Sequence, residues 1–110
     1  MRVEVSSEGS AEGFAEQARR VAGRALAGNA VQVERVRVSA EPGEDGQVLC
    51  RFEVTGRRAW RVIVEECDRD ERQALERAAL RAALHVGHTL ERVQRSTYRG
   101  PQPWPCTRAS

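Results

Sequence analysis

Apolar and polar residues alternate through this chain, and the period of the alternation changes in a fixed order. Val3 and Val5 share one side of a short run over residues 1–6, which predicts a strand. Between residues 14 and 26 the spacing becomes three and four. Phe14, Ala18, Val21, Ala22, Ala25 and Leu26 then form one helical stripe. Ser10 suits the N-cap of that helix, Glu12 its first turn, and Gly28-Asn29 a left-handed terminus. Period two returns in three runs: Val36, Val38 and Ala40; Val48, Cys50, Phe52 and Val54; Trp60, Val62 and Val64. An earlier segment at Val31 and Val33 is out of phase with Val36, which predicts a bulge near Glu34-Arg35. The connections Pro42-Gly43-Glu44-Asp45-Gly46 and Thr55-Gly56-Arg57-Arg58 are polar, glycine-bearing and of hairpin length.

The acidic link Glu65-Glu66-Cys67-Asp68-Arg69-Asp70-Glu71 leads into a second helix, expected over residues 70–94. Its stripe is Leu75, Ala78, Ala79, Ala82, Ala83, Val86, Leu90 and Val93, small enough to lie close to a sheet. Residues 95–100 end it, and Pro101, Pro103 and Pro105 forbid further helix. The order β-α-β-β-β-α predicts an α+β two-layer sandwich, a four-stranded sheet with two helices on one face. Residues 1–95 make one domain, and residues 96–110 a flexible, Pro-rich C-terminal tail.

Composition narrows the function. No apolar run is long enough to span a membrane, and the N-terminus lacks an apolar signal-peptide core, so a cytoplasmic protein is expected. Cys50, Cys67 and Cys106 form no CxxC pair, which points away from a disulfide framework or zinc knuckle. The net charge is only +2, yet it is unevenly spread, at −2 over residues 1–56 and +4 over residues 57–110. All eighteen basic residues are Arg, whose flat multi-donor fork suits phosphate. A codon bias toward Arg explains the same composition.

Three passages carry a resemblance to a known family. They are Arg24-Ala25-Leu26 followed by Val33-Glu34-Arg35-Val36-Arg37-Val38, then Cys50 to Arg57, then Ala74-Leu75-Glu76-Arg77-Ala78-Ala79-Leu80-Arg81. In this order, over roughly residues 1–94, the chain resembles the ribosome hibernation promoting factors, also called the sigma-54 modulation family. The resemblance implies a fold related to the double-stranded-RNA-binding domain and no catalytic activity. It implies a stress-response protein that binds small-subunit rRNA and shuts down translation. The chain is too short for the dimerisation domain of long family members, so a short form is implied. It departs from the family at Gly28-Asn29, where a basic residue and an aromatic are common. It departs again at Leu80 in place of a polar residue, and at Glu71, Glu76 and Glu91, which dilute the second helix's charge.

The resemblance makes Arg81 the first candidate for rRNA contact and Arg57 the second. Arg77, Arg58, Arg92, Arg95, Arg20 and Arg24 complete the set. Such arginines grip phosphate in a salt-dependent way without reading bases. They are also what a solvated helix face carries, with pairs such as Arg72–Glu76. The outer sheet face offers Arg35, Arg37, Arg51 and Arg61 around Glu53 and no aromatic for base stacking. Cross-strand Arg–Glu pairing or backbone binding is its use. His85 and His88 lie three apart on one helix face without a third ligand, so no metal is expected. Cys67 sits among acids, which disfavours a thiolate, and Cys50 belongs to the core. No catalytic set or phosphate loop appears, so neither an enzyme, a cofactor nor a small-molecule substrate is expected. The tail with Trp104 is open to two readings, a loose end or a peptide that anchors a protein partner.

Overall fold

The computed structural model describes residues 1–7 and 12–99. Strand β1 (Arg2–Ser7) is followed by helix α1 (Phe14–Ala25), then β2 (Val33–Pro42), β3 (Val48–Gly56) and β4 (Arg61–Asp68), and helix α2 (Glu71–Arg99) closes the order. The strands lie in the spatial order β1-β2-β3-β4. β1 runs parallel to β2, and β2, β3 and β4 form an antiparallel meander. A parallel neighbour needs a long crossover, and residues 8–32, including α1, provide it. The β-α-β-β-β-α sandwich expected from the pattern is the observed fold.

Alternation decides which side of the sheet is covered. Val36, Val38, Cys50, Phe52, Val54, Val62 and Val64 are buried, and each faces the helices. Onto them pack Phe14, Ala18, Val21, Ala22 and Leu26 of α1 and its end. From α2 come Ala74, Leu75, Ala78, Ala79, Ala82, Val86 and Leu90. Among the described residues no polar or charged side chain is buried. Trp60 closes the core at the β3–β4 turn, against a glycine that must be one. A Cβ on Gly56 would overlap the Trp60 indole.

Five boundaries differ from the pattern. At α1, Gly13 stands as N-cap with φ 85°, a conformation glycine enters without a Cβ clash, while Ser10 lies outside the described residues. The helix ends at Ala25 and tightens into a 3₁₀ turn over Ala27–Gln32. Gly28 and Asn29 therefore sit inside that turn, and neither has positive φ. Val31 lies there too, largely exposed, so it begins no strand; the bulge expected near Glu34-Arg35 is present between Val33 and Arg35. The acidic link is mostly strand, since β4 runs through Glu65, Glu66, Cys67 and Asp68 paired to β3. Finally, α2 continues past residue 94 to Arg99, because the sequence holds no helix breaker before Gly100-Pro101. Residues 100–110, most of the expected tail with Trp104, lie outside the described residues.

Candidate nucleic-acid interface

The buried phase of β4 does not stop where its apolar residues stop. Val62 and Val64 are followed in phase by Glu66 and Asp68, which reach the flank of α2. That helix runs back along β4, and its alanine-rich face lets long side chains arch over to the strand. Arg77 Nη1 donates to Asp68 Oδ2 at 2.9 Å, and Arg77 Nη2 to Glu66 Oε1 at 3.2 Å. One turn later Arg81 Nη1 donates to Glu66 Oε2 at 2.5 Å. Backbone carbonyls add to both contacts, that of Cys67 to Arg77 at 3.3 Å and that of Glu65 to Arg81 at 3.3 Å.

The Glu66 carboxylate, 15% exposed, thus sits between two guanidinium groups. The hydrogen bond from Arg81, seconded by that from Arg77, holds its pKa below the usual glutamate value, against the opposing effect of partial burial. Arg81 spends only Nη1 on these contacts, leaving Nη2 and Nε for another acceptor. The arrangement is a guanidinium fixed from behind and open in front. Nothing in the sequence marks Glu66 and Asp68 as its partners unless the alternation is followed into polar residues.

The remaining predicted arginines lie apart from this cluster. Arg57, exposed at the β3–β4 turn, donates from Nε to the Val31 carbonyl at 2.8 Å and so ties the turn to the 3₁₀ segment. Arg58 beside it is exposed and has φ 70°. Arg20 and Arg24 are exposed one turn apart on α1, and Arg92 is exposed on α2. The side chain of Arg95 lies outside the described residues. The pair expected on the helix, Arg72–Glu76, forms at 3.7 Å.

On the helix-free face, cross-strand pairing takes the expected form. Arg37 meets Glu4 at 3.3 Å, Arg61 meets Glu53 at 3.2 Å and Arg51 meets Glu65 at 3.9 Å. Between them lies a depression of about 460 Å³, lined by Glu4, Ser6, Arg37, Ser39, Arg51 and Glu53 together with Val5 and Val38. His85 and His88 are exposed, and among the described residues no three His, Cys, Asp or Glu side chains group as metal ligands. Cys50 is buried as expected. Burial first, and the charges of Glu71 and Cys67 after it, push its thiol up to about 11. No helix among the described residues is long and apolar enough to cross a membrane.

Solved structures share this fold. A ribosomal subunit interface protein from Coxiella burnetii matches with a TM-score of 0.65 at 7% identity, over 87% of this chain and 100% of that one. The N-terminal domain of Protein Y from Thermus thermophilus matches with a TM-score of 0.63 at 17% identity, over 80% of this chain and 94% of that one. The fold is theirs. At these identities the likeness concerns backbone architecture and carries no residue across. No protein-family model and no curated protein matches the sequence.

Proposed function

We propose that this chain is a ribosome-associated hibernation factor. It inhibits translation by occupying small-subunit rRNA through arginine side chains, without catalysis, in the cytoplasm. The observation that carries this reading is the extent of the structural likeness. The match covers the whole of a protein named for the ribosomal subunit interface and most of this chain. The sequence resemblance, found from different features, points to the same family. Arg81 is the leading contact, since it keeps donors outward while Glu66 positions it. Arg77, Arg57, Arg58, Arg92, Arg95, Arg20 and Arg24 supply further phosphate contacts around it.

One observation favours a second reading, a protein-interaction module of the same fold that has lost ribosome affinity. Leu80 and Leu84, one turn apart on α2 beside Arg77 and Arg81, are 70% and 62% exposed. A helix face made of two leucines and two internally paired arginines suits a protein groove as well as a phosphate backbone. Sucrose-gradient sedimentation with purified ribosomes separates the two. Protein that travels with the small subunit at low salt supports rRNA binding, provided that raised salt and the Arg77→Ala/Arg81→Ala double variant both release it. Wild-type protein left at the top of the gradient at low salt overturns that reading in favour of the interaction module.

A further inference from the structure

Strand register sets three arginines in one line across the helix-free face. Arg2 of β1 lies opposite Arg35 of β2, Arg35 opposite Thr55 of β3, and Thr55 opposite Arg61 of β4. Like charges directly opposed in a sheet destabilise it. The next row along the strands avoids them, since Glu4, Arg37 and Glu53 alternate in sign. Arg2 and Arg61 lean toward that row for carboxylates, at 3.5 Å to Glu4 and 3.2 Å to Glu53. Glu4 is already shared with Arg37. Arg35, in the middle of the line, makes no ion pair among the described residues.

The same end of the sheet carries the β3–β4 turn, which adds Arg57 and Arg58, both exposed. Glu34, at the bulge, is the acid closest in sequence to Arg35. The far end carries Glu41 on β2 and Glu44 and Asp45 in the β2–β3 turn. The face is therefore polarised along its strands, with Arg2, Arg35 and Arg61 at one end and Glu41 at the other.

The line crosses three interstrand spacings, about 14 Å. That is longer than one phosphate group and suits a chain of them. A single line of guanidinium forks matches one strand of phosphates, whereas a duplex presents two. With no aromatic on this face, the bases have nothing to stack on, so contact is with the backbone alone.

We infer that Arg2, Arg35 and Arg61, together with Arg57 and Arg58, form a site for the phosphodiester backbone of single-stranded nucleic acid, read without regard to sequence. The site lies across the sheet from the core that α2 covers and does not rest on the ribosome reading. Its test uses no ribosomes.

Fluorescence anisotropy of the full chain with a labelled oligouridylate of about 12 nucleotides, at about 50 mM and about 200 mM salt, tests it. Wild-type protein binds, and more weakly as salt rises. Arg35→Gln/Arg61→Gln lowers affinity by about tenfold or more at the lower salt. It also reduces the slope of log affinity against log salt by about 1.4, two phosphates at about 0.7 each. Arg69→Gln/Arg72→Gln removes the same charge from exposed positions away from the line and leaves both quantities near wild type. Glu53→Gln releases Arg61 and raises affinity, which keeps the test decisive if the double variant folds poorly by circular dichroism. A wild-type chain that does not bind the oligonucleotide overturns the inference. So does an Arg35→Gln/Arg61→Gln protein that folds and binds as wild type, or a Glu53→Gln protein that gains nothing.

Discussion

Replacing Glu66 by Gln tests the contact that joins α2 to β4. The substitution keeps the shape and one acceptor oxygen but removes the charge that Arg77 and Arg81 share. Both guanidinium groups are about half exposed, so each pair alone is a surface pair of about 0.2–1 kcal/mol. The carboxylate between them is 15% exposed and accepts from both, which places their combined contribution at about 1–2 kcal/mol. In a domain of this size that loss lowers Tm by about 4–8 °C. The effect must also follow pH in a definite sense. Glu66 titrates below the usual glutamate value in the folded chain, so its stabilisation is fully present above that value and is lost as pH falls through the lower, folded pKa. Thermal melts of wild type and Glu66→Gln from about pH 7 to about pH 2 should therefore start apart and converge at the acid end. Adding Arg81→Gln completes a double-mutant cycle, in which the two losses should sum to more than the double loss. Equal Tm values at neutral pH, or a gap that does not close in acid, would refute the view that this cluster pins the helix.

Four further outcomes follow from single positions. Gly56→Ala drives a methyl group into the Trp60 indole and should cost about 3 kcal/mol or more, read by urea denaturation. Ala59, held at φ 64° in the β3–β4 turn, should become about 1 kcal/mol more stable as Ala59→Gly by the same measurement. Leu80→Glu/Leu84→Glu changes two exposed side chains and should shift stability by less than about 0.5 kcal/mol, while a loss of partner binding would identify this face as an interaction surface. Thiol labelling of the native protein near pH 8, mapped by peptide mass, should modify Cys67 and spare Cys50 until denaturant is added, since Cys50 is buried with a pKa of about 11.

The sheet and helices were legible because burial imposes a period. Val36 to Ala40, Cys50 to Val54 and Val62 to Val64 each repeat every two residues, and α1 and α2 repeat every three or four. Where burial gives no such signal, the reading failed. Gly28-Asn29 suggests a left-handed terminus for α1, yet Leu26 is fully buried and the chain turns tightly after Ala25 without a positive φ. After Val64, Glu66 and Asp68 look like a link. They are a strand whose inward residues face arginines instead of alkyl groups. The candidate site suffered from the same cause. The pattern offers Arg77 and Arg81 as phosphate contacts or as a solvated face with pairs along the helix, and no local signal shows that carboxylates nine to fifteen positions earlier hold them.

A net charge of +2 argues against nucleic acid only as a sum, which hides how the fold sorts its arginines. Arg77 and Arg81 are held by Glu66 and Asp68, and Arg37, Arg51 and Arg61 have carboxylates on neighbouring strands. Strand pairing then does something composition cannot express. It gathers Arg2, Arg35 and Arg61 at one end of the sheet and leaves Glu41, Glu44 and Asp45 at the other. Phosphate responds to the local field within about a Debye length, roughly 10 Å at moderate salt, and not to the total charge of the chain. A weakly basic protein of this construction can hold a polyanion at one end while repelling it at the other. The orientation of any nucleic acid on the sheet is then set by the register of four strands.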